Sequence, residues 1–480
     1  MLGPRLLVAG TASGVGKTTV ATGLMAAFRK AGVRVAAAKV GPDFIDPGYH
    51  ALATGRPPRN LDPWMCGADI IPALAARAAA GADLLVVEGV MGLFDGAGAT
   101  EESSTAHVAR LIEAPVILVV DASAMGVSVA ALVAGYRDHD PGLAIGAVIL
   151  NRVGSDRHEA ILRQALLPLG IPVAGALRRD DRLTWRDRHL GLIPVVEHPA
   201  EVRSSLDRLA AVIAAHLDLG LLRRLAAAAP TRPTPPPPTA APARTGTPCS
   251  VPAAARTAAA ATPSAAAPHL RRRAGTGSRR IAVAAGPAFS FGYPDNGELL
   301  EQAGAELVPF DPLRDPGLPD GVSGLVAGGG FPEVYAEALA ANGPLLADVR
   351  AGIAGGLVTW AECGGALWLA ECLDARELCR AIPAQGRMTQ RLTLGYRRAR
   401  FRIDNPLGPA GTEVRGHEFH YSLLDPPGDA LDLRPAGDEA TTCGGWASPT
   451  LLASYLHLHL AGAPELATEF VGRVTASQTG

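Results

Sequence analysis

Residues 10 to 19 read Gly-Thr-Ala-Ser-Gly-Val-Gly-Lys-Thr-Thr, directly after the apolar run Leu6-Leu-Val8. A strand, a glycine turn and then Lys-Thr at the start of a helix, expected near Thr18, makes a cradle for phosphate. Gly10, Gly14 and Gly16 let backbone N–H groups converge on oxyanions. Lys17 brings a cation to the outer phosphates, and the Thr18 hydroxyl is placed to hold a phosphate-bound Mg²⁺, with Thr11 and Thr19 completing the loop. The spacing differs from the usual form, because Gly10 lies one residue further upstream of Gly16. The stretch predicts binding of a nucleoside triphosphate.

Working outward, the loop belongs to a rhythm of apolar β-rich runs separated by Ala/Leu-rich helical segments: 6–9, 33–39, 84–88, 116–121, 144–151 and 173–177. Continuous apolar strands alternating with helices predict a parallel, doubly wound α/β sheet. The rhythm returns at 281–285, 306–309, 324–326, 357–360 and 451–456. Between the halves, residues 226–278 collapse into Ala, Pro, Thr and Arg, including Pro-Thr-Pro-Pro-Pro-Pro at 233–238 and the triplet Arg271–Arg273. Such a stretch has too few large apolar groups to offset its ordering entropy, so it is expected to be a disordered linker. The expected domains are 1–225, 226–278 as linker, and 279–480.

The 480 residues exceed what one core usually holds. Lys+Arg number 44 against 46 Asp+Glu, a net charge of −2, which offers no basic field for nucleic acid and no reason to expect a membrane surface. The six cysteines form no CxxC pair, which suits a reducing compartment. With no spanning run and no signal-like start, the expectation is a cytoplasmic protein with small-molecule partners; a homodimer is left open.

Four acidic residues fall where an open parallel sheet binds its ligands, beyond the carboxyl ends of strands. Asp43 and Asp46 lie in Lys39-Val-Gly-Pro-Asp-Phe-Ile-Asp, Glu88 ends the run Leu84-Leu-Val-Val, and Asp95 follows in Gly92-Leu-Phe-Asp. Carboxylates beside a triphosphate commonly hold Mg²⁺, so Thr18, Asp43, Asp46, Glu88 and Asp95 are the expected metal ligands. The alternative for each acid is ordinary turn chemistry.

In the second half, Gly356-Leu-Val-Thr-Trp-Ala-Glu362-Cys363-Gly-Gly leads an apolar strand into a cysteine, two glycines and a helical run. That is the layout of a nucleophile elbow with sulfur at its tip. The Gly364 N–H, and a second donor from the Gly328-Gly-Gly loop, would face a developing oxyanion. A thiol nucleophile needs a base, and His457, in Ser454-Tyr-Leu-His-Leu-His459, is the expected one. His417 and His420 are spaced as metal ligands might be, although no further Cys or His supports a zinc site.

Taken together, these segments resemble the corrin a,c-diamide synthases of cobalamin biosynthesis, a family of ATP- and glutamine-dependent amidotransferases. The matching stretches include GTASGVGKTT, KVGPDFIDPGYH, NLDPWM, EGVMGLFDG, LNRVGSDRHE, RHLGL, GGGFPE, AECGGALWL, MTQRLTLGYR, RGHEFHYS and ASYLHLH. The first half is similar to dethiobiotin synthetase and the second to class I glutamine amidotransferases. The resemblance implies that Cys363 and His457 release ammonia from glutamine. It implies that ATP with Mg²⁺ phosphorylates the a and c acetates of hydrogenobyrinate or cobyrinate, and that ammonia displaces phosphate. Two departures stand out. The glutamate that usually follows the histidine by two residues is His459 here, and Ala285–Tyr293 lacks an acidic residue and an aromatic expected near Gly286 and Gly292, which is expected to loosen a domain contact or the ammonia path. The rival readings are cobyric acid synthase, with other side chains amidated, and a partitioning-type ATPase switch, which would have no use for Cys363.

Overall fold

The computed structural model describes residues 1–98, 100–179, 187–188, 191–192, 199–241, 279–438 and 440–476. The first half builds one parallel sheet from β1 (Arg5–Gly10), β2 (Val35–Val40), β3 (Arg59–Leu61), β4 (Leu84–Glu88), β5 (Val116–Asp121), β6 (Ile145–Val153) and β7 (Val173–Arg178). The strand order is β3-β2-β4-β1-β5-β6-β7. Helices cover both faces, so successive residues of β1 enter different cores: Leu6 and Val8 pack with Val20, Leu24 and Phe28 of the helix Lys17–Lys30, whereas Leu7 and Ala9 join the opposite face. That double burial is why these strands read as unbroken apolar runs. The chain leaves β1 in one direction across the sheet and leaves β4 in the other, which opens a crevice at the carboxyl ends of β1 and β4. A short antiparallel pair follows, β8 (Asp187–Arg188) and β9 (Gly191–Leu192).

The second half contains the expected α/β sheet, with β10 (Arg280–Ala284), β11 (Glu306–Phe310), β12 (Gly324–Ala327) and β13 (Val358–Glu362). Against it stands a second sheet that the sequence reading did not foresee, built from β14 (Cys372–Leu373), β15 (Arg376–Glu377), β16 (Gln385–Phe401), β17 (Glu413–Asp425), β18 (Leu431–Pro435) and β19 (Thr442–Gly444). β20 (Trp446–Ser448) and β21 (Leu451–Ser454) return to the first of these sheets, and β22 (His457–Leu458) joins the second. The strand expected over 451–456 therefore ends at Ser454, and the chain crosses between sheets just before His457. The long strands β16 and β17 escaped notice because much of β16 is only half-buried and its polar residues blur the alternation.

The linker does not begin at 226. The helix Leu219–Ala228 continues through that point, with Leu222 and Ala226 buried. Beyond it, Arg232 pairs with Leu2, the Pro230 carbonyl accepts from Arg5 at 2.9 Å, and the Ala241 carbonyl accepts from Thr468 at 2.9 Å. Small and proline residues that cannot build a core alone are held here by an existing one. Residues 242–278, with Arg271–Arg273 and Cys249, lie outside the described residues.

The two halves share a buried boundary. Leu61, Trp64 and Met65 pack in one cluster with Leu458, Leu460 and Leu466. Arg59 bonds Asp295 at 2.6 Å and Glu298 at 2.5 Å, and Tyr293 donates its hydroxyl to the Pro42 carbonyl at 3.0 Å. The Ala285–Tyr293 segment, expected to weaken this contact, instead supplies Phe291 and Tyr293 to it: Phe291 stacks on Phe44 of the first half at 5.2 Å between ring centroids, and Tyr293 packs tilted against it at 4.5 Å. No helix among the described residues is long and apolar enough to cross a membrane.

Candidate active site

The glycine loop turns at the end of β1 and meets the helix at Lys17. Gly14 and Gly16 have φ of 76° and 96°, a region that favours glycine. A Cβ at Gly10 would lie 2.6 Å from Val15 and 2.8 Å from the Lys17 stem, so the tight approach also demands glycine there. Lys17 arches back over the loop and donates to the Ala12 carbonyl at 2.9 Å. Burial, helped by the Lys39 cation, lowers its pKa to about 8. A residue the sequence reading did not single out, Asn151 at the end of the apolar part of β6, pins the loop by donating to the Val15 carbonyl at 2.8 Å.

Beside the loop lies a buried ionic cluster. Thr18 donates to Glu88 Oε1 at 2.6 Å, and Lys39 Nζ reaches the same oxygen at 2.9 Å and Asp46 Oδ2 at 2.7 Å. His50 Nε2 lies 2.6 Å from Glu88 Oε2. Asp43 stands at the margin, 4.0 Å from Lys39, with one oxygen committed to the Ile45 N–H. Asp95 does not join: its carboxylate accepts from the Gly92 N–H at 2.8 Å within its own turn, on the Lys17 side. Lys39 and His50 were not singled out from sequence. The available signal was a lysine inside the otherwise apolar strand Val35–Val40, since a buried lysine needs a partner. Burial and the neighbouring Asp43 carboxylate push Asp46 well above the usual carboxylate range. Asp43, Asp46 and Glu88 thus gather around the Lys39 ammonium and offer hard oxygen donors of the class Mg²⁺ takes, although the described residues hold no ready-made group of three metal-ligating side chains.

In the second half, β13 delivers Cys363 at φ 48° and ψ −104°, a strained elbow that starts the helix Gly364–Leu369. A Cβ at Gly365 would lie 2.1 Å from the Ala327 carbonyl, and one at Gly364 3.0 Å from the Gly330 nitrogen, so both glycines are set by backbone crossing at contact distance. This brings the Gly328–Gly330 loop against Gly364, and Gly330 lines the same small pocket as Cys363. The Cys363 thiol donates to the Phe419 carbonyl at 3.8 Å and lies close enough to the His457 ring to shift its charge state. His457 Nδ1 lies 3.6 Å from Glu362 Oε2, while Glu362 Oε1 accepts from the Leu458 N–H at 2.9 Å. The carboxylate that faces the histidine therefore comes from the residue before the nucleophile, and His459 turns away toward Asp295 at 3.9 Å.

Burial alone would lower the pKa of His457, but the Cys363 thiolate and then Glu362 outweigh it and raise it to about 10. The stabilisation of the protonated His457 ring is fully present below the ordinary 6.5 and is lost as pH rises through about 10. Glu362→Gln should therefore move the alkaline limb of the glutaminase kcat/KM profile down by about one pH unit; an unmoved limb would remove Glu362 from this role. His417 and His420, three residues apart on a strand, face opposite sides of β17. Burial holds both neutral, at about 3 and about 4, and neither joins a cluster of metal-ligating side chains among the described residues.

Comparison with known proteins agrees with both halves. Residues 6–193 match the CobQ/CobB/MinD/ParA nucleotide binding domain, and residues 280–465 match the CobB/CobQ-like glutamine amidotransferase domain. Over 99% of this chain and 98% of its relative, the chain is 46% identical to the hydrogenobyrinate a,c-diamide synthase of Streptomyces coelicolor. It is 44% identical to the same enzyme of Thermobifida fusca over 99% and 98%. The cobyrinate a,c-diamide synthase of a Synechococcus strain is 41% identical, with 97% of each chain covered.

Proposed function

The chain belongs to the family of hydrogenobyrinate and cobyrinate a,c-diamide synthases, and from that premise we propose that it amidates the a and c acetates of hydrogenobyrinate in the cytoplasm, using ATP and glutamine. The observation that carries the reading is the joining of two separate chemistries through one aromatic contact, between Phe44 and His457. The nearer relatives by identity favour the metal-free acid over cobyrinate.

In the second domain, taken as 279–480, the Cys363 thiolate attacks the amide carbon of glutamine, and the Gly364 and Gly330 amides receive the oxyanion. His457 gives its proton to the departing nitrogen, the C–N bond breaks and ammonia leaves. Water then attacks the thioester, glutamate departs and the thiolate returns. In the first domain, taken as 1–225, an acetate oxygen attacks the γ-phosphorus of ATP and ADP leaves. Ammonia adds to the acyl carbon, the C–O bond breaks, phosphate departs and the extra proton is lost. Activation is required because a carboxylate is a poor electrophile.

Gly10, Thr11, Gly14, Gly16, Lys17, Thr18 and Thr19 form the phosphate site in this reading. Thr18, Asp46 and Glu88 would hold Mg²⁺, with Asp43 at its edge and Asp95 on the far side of Lys17; the ion supplies charge neutralisation to the phosphates when bound. Lys39 keeps the carboxylates together and brings a second cation toward the transferred phosphoryl group.

Phe44 lies between Asp43 and Asp46 in sequence and touches the His457 ring at 4.9 Å between centroids. Phe44→Ala should leave glutaminase activity and ammonium-supported amidation near wild type and raise the glutamine consumed per amide formed severalfold. Measuring glutamate against corrin amide decides it, and an unchanged ratio would show that Phe44 has no part in the transfer.

A further inference from the structure

We propose that an arginine-bearing cavity between the two domains seats the carboxylate arms of the corrin acid that are not being amidated; this rests on the corrin-amidating reading above. The cavity has a volume of about 810 Å³. One wall is the sheet of β16, β17 and β18, and the facing wall is the turn Met65–Gly67 of the first domain.

Arg398 on β16 stands directly opposite Arg415 on β17 and directly opposite Arg434 on β18. Side chains opposite one another on adjacent strands share a face, so three guanidinium groups form one row across three strands, and like charges so placed repel. The next row on the same face alternates in sign: Arg400 lies between Glu413 and Asp432. The sheet is thus charge-matched in one row and unmatched in the adjoining one, and both rows line the cavity. Arg415 is braced over the Trp64 ring at 5.4 Å, donates to the Trp64 carbonyl at 3.1 Å and lies 3.9 Å from the Glu102 carboxylate. The guanidinium groups of Arg398 and Arg434 have no ion pair or hydrogen bond among the described residues.

Two arginines without a partner, Arg398 and Arg434, set beside a third in a chain of net charge −2, cost stability unless an anion arrives to use them. Guanidinium recognises carboxylate with paired hydrogen bonds. The ligand must be large, rigid enough to span domains and carry several carboxylates around its rim. The corrin acid meets each condition; glutamine is too small for the cavity, and the phosphates of ATP have their own loop.

The test uses the full-length enzyme and compares steady-state kinetics of wild type, Arg398→Ala, Arg434→Ala and the double variant, with melting temperature measured alongside. The expected result is a rise in KM for hydrogenobyrinate of about tenfold for each single variant, a larger rise for the double variant, and unchanged KM for ATP and glutamine. Melting temperatures should equal or exceed wild type, because removing one arginine relieves the row. Unchanged KM for the corrin acid, or a rise in KM for ATP instead, overturns the assignment. If wild type itself fails to amidate any corrin acid, the functional reading fails, which is separable from a wild type that amidates and variants that do so equally well.

Discussion

Cys363→Ala should lower glutamine-dependent corrin amidation by about three orders of magnitude or more while ammonium chloride still supports amidation at the wild-type rate. The two outcomes follow from separation of tasks. The thiol acts on glutamine alone, so deleting it removes ammonia release and the thioester, yet leaves Lys17, Thr18, Glu88 and the acid loop in place. The substitution also removes the charge that keeps His457 protonated, so nothing else at the elbow substitutes for the nucleophile. Loss of amidation with both nitrogen sources would mean that Cys363 serves the first domain as well, or that the elbow supports its fold.

Lys17→Ala should produce the mirror image. Lys17 is the loop cation, buried, with its ammonium held over the loop by the Ala12 carbonyl. Removing it should lower amidation by about 10²–10³ whether nitrogen comes from glutamine or ammonium, with basal glutaminase activity retained. The variant is favourable to read because Lys17 makes no ion pair at contact distance among the described residues, whereas Glu88→Ala would strand Lys39 and His50 together. If glutamine-dependent amidation falls but ammonium-dependent amidation does not, Lys17 acts through coupling rather than on the phosphate.

What the sequence disclosed is local. Gly10–Thr19 and Glu362–Gly365 each announce a turn and a reactive side chain within a few residues, and the backbone there has the positive φ and close contacts those motifs require. Glu88 was legible for the same reason, as an acid ending an apolar strand. What remained hidden depends on contacts between residues far apart in the chain. Lys39 meets Glu88 only because β2 and β4 are neighbours in register. Asn151 reaches the loop from β6, across 136 positions. Glu362 was noted as a flank of the nucleophile, but its role toward His457 appears only when β22 is laid beside β17 rather than extended from β21. Asp95 shows a further dependence on local detail: its place after a strand suggests the metal cluster, and in the structure one of its oxygens closes the tight Gly92 turn. The arginine row is invisible without knowing which residue of β18 stands opposite Arg398.

The central claim is that nitrogen passes inside one molecule from a thiol site to a carboxylate activated by ATP. Amide-¹⁵N glutamine supplied with ATP, the corrin acid and unlabelled ammonium in the medium tests it in one mass spectrum. The account predicts a diamide in which both new amides carry ¹⁵N, with one ATP consumed for each. A product carrying the unlabelled nitrogen of the medium, or a diamide formed without ATP hydrolysis, would contradict it.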